Sequence, residues 1–144
     1  MGRIALPQKT FTVFSVSPFE EDRIRLDQVF AGSGWKARGV RTCREALTLL
    51  RKNAAPVVIC ERDLPDGNWK DIWDALTLLT DPPALIVTSR LADEYLWAEV
   101  LNLGGWDVLA KPLDEKEVVR AVDSARRHWN GQRERARRVW EATA

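Results

Sequence analysis

The segment Val57-Val58-Ile59-Cys60-Glu61-Arg62-Asp63-Leu64-Pro65-Asp66-Gly67 decides how the rest of the chain is read. Four apolar residues precede an acid, and a Pro/Asp/Gly cluster follows. A short apolar run bounded by turn residues reads as a buried strand, here one that delivers the Glu61 carboxylate to a loop. Upstream, Phe11-Thr12-Val13-Phe14-Ser15-Val16 has the β-branched and aromatic bias of a strand. Glu20 to about Ala31 carries a helical stripe of Ile24, Leu26, Val29 and Phe30, ended by Gly32-Ser33-Gly34. Trp35 to Val40 is a weaker strand, and Thr42-Cys43-Arg44-Glu45 is a capping box that opens a helix ending before Pro56.

Downstream, a helix is predicted from about Asn68 to Leu79, closed by Asp81-Pro82-Pro83. Ala84 to Thr88 is the next strand, Asp93 to Leu103 a helix ended by Gly104-Gly105, and Asp107 to Ala110 a short strand. Asp114-Glu115-Lys116-Glu117 is a second capping box and opens the last helix. Five strands alternating with five helices over short connections predict an α/β fold with a parallel sheet covered on both faces.

The bulk composition narrows the function. At 144 residues the chain is one domain, with 45% apolar and 30% charged residues, as in ordinary globular proteins. Net charge is +1, but residues 124–144 hold six arginines against Glu134 and Glu141, a local +4 that leaves −3 elsewhere. No apolar run approaches the roughly 18 residues of a membrane span. The start lacks a signal-peptide apolar core, so a reduced cytoplasm is expected. Cys43 and Cys60 have no metal-type spacing, and Cys60 reads as a small core hydrophobe. The scatter of the seven tryptophans points to packing rather than to one binding platform.

In open parallel sheets the functional crevice lies beyond the carboxyl ends of the strands. The residues there are Ser17-Pro18, Glu61 with the nearby Asp63, Thr88-Ser89 and Lys111-Pro112. Their order and spacing resemble the response-regulator receiver family of bacterial two-component signalling, over residues 11 to about 128. In that family a strand ends in a phosphoacceptor aspartate, with a proline four residues later, as Pro65 follows Glu61. The resemblance places Thr88 at the hydroxyl that bonds the phosphoryl group and Lys111-Pro112 at the Lys-Pro pair. Leu103-Gly104-Gly105 matches the small turn before the last strand. It implies a flavodoxin-like, doubly wound five-stranded sheet of order 2-1-3-4-5. Residues 1–10 are then a leader and residues 129–144 a basic tail or helix extension.

Two departures from the pattern carry the functional reading. The acceptor position holds Glu61, and the acid pair that holds Mg²⁺ after the first strand is replaced by Ser17 and Pro18. Glu21-Asp22-Arg23 is assigned to the start of the first helix, which leaves Glu61 as the only pocket carboxylate. Mg²⁺ wants near-octahedral oxygen ligation with one or two carboxylates, so its binding is expected to be lost or weak, and no other cofactor is implied. Phosphoryl transfer then loses its charge neutralisation. Glu61 either mimics a phosphoryl group beside Lys111 and Thr88 or simply pairs with Lys111; the second reading is favoured. Asp63 and Asp66 are expected in solvent, Asp66-Gly67 as turn chemistry. The family's aromatic switch position is Val108, and Trp106 is expected to face the other way.

In the tail, Val118, Val122, Ala125, Trp129, Gln132, Ala136 and Val139 follow a 4-3 spacing. Trp129, Val139 and Trp140 are therefore expected to be covered, either by the domain's own last helix and sheet edge or by a second chain, and a homodimer through the last helix is favoured. Against an extension, Asn130-Gly131 reads as a helix stop, and a stop or an extension weigh about evenly. His128, the only histidine, reads as a surface residue at the helix end. The reading is a signalling module rather than an enzyme, acting by contact with a protein such as a sensor kinase or a downstream effector. The alternatives are a phosphoacceptor with a relaxed site and a nucleic-acid regulator using the arginine tail. The absence of aromatic interleaving or a helix-turn-helix speaks against the latter.

Overall fold

The structure, a computed structural model, describes residues 10–143; the expected leader falls almost wholly outside them. In chain order the elements are β1 (Phe11–Val16), α1 (Glu20–Phe30), β2 (Trp35–Val40), α2 (Cys43–Lys52), β3 (Val57–Glu61), β4 (Asp63–Leu64) and β5 (Gly67–Asn68). Then come α3 (Trp69–Leu76), β6 (Ala84–Ser89), α4 (Glu94–Leu103), β7 (Asp107–Ala110) and α5 (Glu115–Thr143). Five strands form one parallel sheet of order β2-β1-β3-β6-β7. This is the expected 2-1-3-4-5 order, since β4 and β5 form a separate two-stranded hairpin.

Strand β3 is central and buried along its whole length, which is why its sequence is continuously apolar rather than alternating. Val58 and Cys60 enter the core beneath α2, α3 and α4, while Val57 and Ile59 enter the core beneath α1 and α5. Burying a side chain of this size stabilises the fold by roughly 1.5–3 kcal/mol, so both faces depend on this strand. Register carries the pattern to the site, because Glu61 lies beside Thr88 and Thr88 beside Leu109.

The segment expected to be a plain loop after Glu61 is the β4–β5 hairpin. At its tip Asp66 accepts hydrogen bonds from the backbone N–H of Cys43 (2.7 Å) and of Arg44 (3.0 Å). It therefore satisfies two of the free donors at the start of α2, which the turn-residue reading did not foresee. A Cβ at position 67 would displace the Asp71 carboxylate, which accepts from the Asn68 N–H, and would stand 3.0 Å from Cys43 Sγ.

Asn130-Gly131 does not stop the last helix, and α5 runs unbroken for 29 residues. Gly131 keeps negative φ, and contacts pin the helix on either side of it. Of the two covers expected for Trp129 the chain itself supplies one: the residue is buried by the chain's own surface and its indole Nε1 donates to the Asp81 carbonyl at 3.3 Å. One turn later Arg133 lies over the Trp129 ring at 4.5 Å and 3.8 Å from the Asp81 carboxylate. These contacts outweigh the roughly 1 kcal/mol that a mid-helix glycine costs. His128 is exposed, as expected, but it stacks on Trp106 in mid-helix rather than at a helix end. No helix among the described residues is long and apolar enough to cross a membrane.

Candidate functional site

Three strand ends and the start of α1 converge at the carboxyl edge of the sheet. Glu61 ends β3, Thr88 lies near the end of β6, and Lys111 follows β7, its backbone N–H donating to the Ser89 carbonyl at 3.1 Å. The Lys111-Pro112 peptide is cis. The Thr88 hydroxyl donates to Glu61 Oε2 at 3.1 Å, and Lys111 Nζ stands 2.5 Å from the same oxygen. The pairing of Glu61 with Lys111 is therefore as expected.

Glu61 is not the only carboxylate of the pocket. Asp22 is buried, and its Oδ2 accepts hydrogen bonds from Lys111 Nζ and from the Ser17 hydroxyl, the latter at 2.6 Å. The ammonium thus bridges two acids and lies over the Phe19 ring, 4.8 Å from its centre. All three side chains are nearly withdrawn from water, at 7% exposure for Lys111, 10% for Asp22 and 9% for Glu61. Two acids against one cation leave a net negative charge, which the N-terminus of α1 partly offsets, since Asp22 sits in its first turn.

A helical-period signal for Asp22 was present in the sequence. The buried residues of α1 are Asp22, Leu26, Val29 and Phe30, an i, i+4, i+7, i+8 set with an acid at its head. Ile24, expected on that stripe, is instead 49% exposed. An acid heading an apolar stripe at the crevice end of a helix points into the crevice.

The remaining expected residues divide. Ser17 is in the site as a donor to Asp22, and its oxygen also accepts from the Phe19 N–H at 3.1 Å. Pro18 contributes no side chain to the cluster; its carbonyl accepts from Arg41 at 2.9 Å. Asp63 does not join the pocket: it is exposed on the hairpin and pairs with Arg62 at 3.1 Å. Pro112 borders an open cleft of about 490 Å³ beside the cluster, also lined by Glu21, Arg25 and Arg90. Val108 packs against the core under α4, and Trp106 against the opposite core. Trp106 faces away as expected, but because it precedes β7, since a two-residue spacing within the strand would put both on one face.

The pocket offers few uncommitted oxygen donors. Its two carboxylates are both committed to one ammonium, Ser17 donates rather than ligates, and Pro18 has no side-chain oxygen. Among the described residues no group of three or more acid, histidine or cysteine side chains could hold a metal ion. The cysteines add no chemistry: both are buried, and burial is the main cause that pushes the Cys43 thiol up to about 11 and Cys60 well above its ordinary value.

No family model matches the sequence, and no curated protein sequence is similar to it. Solved structures do match. The signal receiver domain of an HD domain-containing protein from Pseudomonas fluorescens Pf-5 superposes with a TM-score of 0.77 at 23% identity, over 94% of this chain and 99% of that one. The chemotaxis response regulator CheY4 of Vibrio cholerae gives 0.73 at 15% identity, over 81% and 99%. The beryllofluoride-activated receiver domain dimer of NtrC4 gives 0.76 at 19% identity, over 82% and 98%. The chain therefore has the receiver fold over nearly its whole length.

Proposed function

With the receiver fold as premise, we propose that this chain is a regulatory domain of two-component signalling that works by protein–protein contact, without taking a phosphoryl group. One observation carries the reading. The Glu61 carboxylate holds the Thr88 hydroxyl and the Lys111 ammonium, the two groups that a phosphoryl group on this strand end would engage. Asp22 binds the same ammonium from the other side, so the site's cation is already neutralised. An incoming phosphoryl group would have to displace these contacts with no metal to offset its charge. The domain is accordingly not an enzyme, uses no Mg²⁺, and presents one constant surface to a kinase or effector.

Exposure to acetyl phosphate with Mg²⁺, followed by intact-mass analysis, tests this. The expected result is an unmodified chain. A phosphoryl adduct on Glu61, Asp63 or Asp66 would refute it and point to a relaxed acceptor site. A saturable, sub-millimolar Mg²⁺ transition lost in Glu61→Gln would refute the metal-free reading.

A further inference from the structure

The cleft of about 490 Å³ beside the buried cluster is bordered by three cations whose commitments differ. Lys111 is fully engaged by two buried carboxylates. Arg90 pairs with Glu21 at 2.9 Å, but the two side chains are 73% and 64% exposed. An ion pair that open to water contributes little, so another anion can displace Glu21 easily. Arg25 has no carboxylate partner among the described residues. Its Nε donates to the Leu113 carbonyl at 3.0 Å, which fixes the side chain and uses one of its five N–H donors.

The two available guanidinium groups are neighbours. Glu21 and Arg25 lie one turn apart on the same face of α1. Arg90 reaches that face at Glu21, so both guanidinium groups border the same cleft along one face of the helix.

The lining selects a class of ligand. A cation would meet Arg25, Arg90 and Lys111. A phosphate dianion would bring two charges towards Glu21 and Asp22, which border the same cleft. A carboxylate brings one charge, and its planar pair of oxygens matches the guanidinium fork. Next to these groups Pro112, the edge of Leu113 and the methylene stems of the two arginines supply apolar surface. The volume lies within the roughly 300–1,000 Å³ of small-molecule sites.

We infer that the cleft binds a small molecule with one carboxylate and an apolar body. Arg25 and Arg90 hold the carboxylate, and the body lies against Pro112. Binding releases Glu21 from Arg90 and sets the ligand beside Lys111. A surface that phosphorylation leaves constant then changes with ligand occupancy. The inference gives the regulatory domain proposed above an input; it rests on that reading for its signalling role, though not for the binding itself.

Titration of the full, nitrogen-labelled chain with sodium hexanoate and with sodium benzoate, followed by amide NMR spectra, tests the inference. The expected result is a saturable shift of residues around the cleft, with a dissociation constant at or below about 1 mM. That constant should rise at least tenfold in Arg90→Gln and in Arg25→Gln. It should fall in Glu21→Gln, which frees Arg90 from its competitor. Arg90 is exposed, so Arg90→Gln reads binding without disturbing the core. Inorganic phosphate and benzylammonium should leave the cleft resonances in place. Failure of both carboxylates to saturate below about 10 mM would overturn the inference. So would an Arg90→Gln chain that binds as the parent does, a Glu21→Gln chain that binds more weakly, or phosphate or benzylammonium binding as tightly. None of these outcomes touches the unphosphorylated reading, and a phosphoryl adduct would sink that reading without altering the titration of the unmodified chain.

Discussion

Lys111→Met removes the only cation that, among the described residues, touches the buried Asp22 and Glu61 carboxylates. Asp22 and Glu61 are about nine-tenths withdrawn from water, and each bonds the ammonium directly. Breaking a buried pair by deleting one partner costs about 3–5 kcal/mol, because the other charge is left uncompensated. Here two acids are left facing each other. The lost contact with the Phe19 ring adds only about 0.5–1 kcal/mol, so the stranded acids dominate. With a urea slope of about 2 kcal/mol per molar, a loss of about 4 kcal/mol lowers the unfolding midpoint by roughly 2 M. Tryptophan fluorescence follows the transition. The triple variant Asp22→Asn/Glu61→Gln/Lys111→Met should recover most of the loss, because replacing a whole buried ionic group is often neutral. A Lys111→Met midpoint within about 0.5 M of the parent, or a triple variant less stable than the single one, would refute the reasoning.

Asp22→Asn should cost less, about 2 kcal/mol by the same assay, since Lys111 keeps Glu61 and an amide oxygen still accepts from Ser17. Asp66 is held below its ordinary 3.8 chiefly by the Cys43 and Arg44 N–H groups. A depressed carboxyl lends stability that is full above its unfolded value and lost as pH falls through the folded one. Below about pH 4 the parent should therefore lose urea stability more steeply than Asp66→Asn. Both thiols should resist iodoacetamide in the folded protein at pH 8 and react on unfolding, as burial with the neighbouring Asp66 and Asp71 disfavours the Cys43 thiolate; rapid native labelling would contradict this.

Local order was legible along the chain. The apolar run before Glu61 and the turns at Gly32 and Gly104 are statements about neighbouring residues, and each predicted element appears within a residue or two, apart from an earlier end of α3 and the run of α5 through Asn130-Gly131 to Thr143. Caps were partly legible. Thr42 accepts from the Glu45 N–H at 3.1 Å as read, and Asp114 from the Glu117 N–H, but the full capping box is at Asn68 and Asp71. Glu61, Thr88 and Lys111 could be brought together on paper because parallel strands end at one edge of the sheet.

What sequence spacing could not supply was contact between distant residues whose local rules were misleading. Asp22 looked like a helix-start acid, and only the docking of α1 on the sheet turns its carboxylate onto Lys111, 89 residues away. Asn130-Gly131 looked like a stop, and only the Asp81 loop, 48 residues before Trp129, holds the helix through it. Asp66 looked like a turn residue until the hairpin folded over the start of α2. Only at Asn130-Gly131 does a local preference of about 1 kcal/mol yield; Asp22 and Asp66 keep their local roles and add a contact that exists only once the chain has folded.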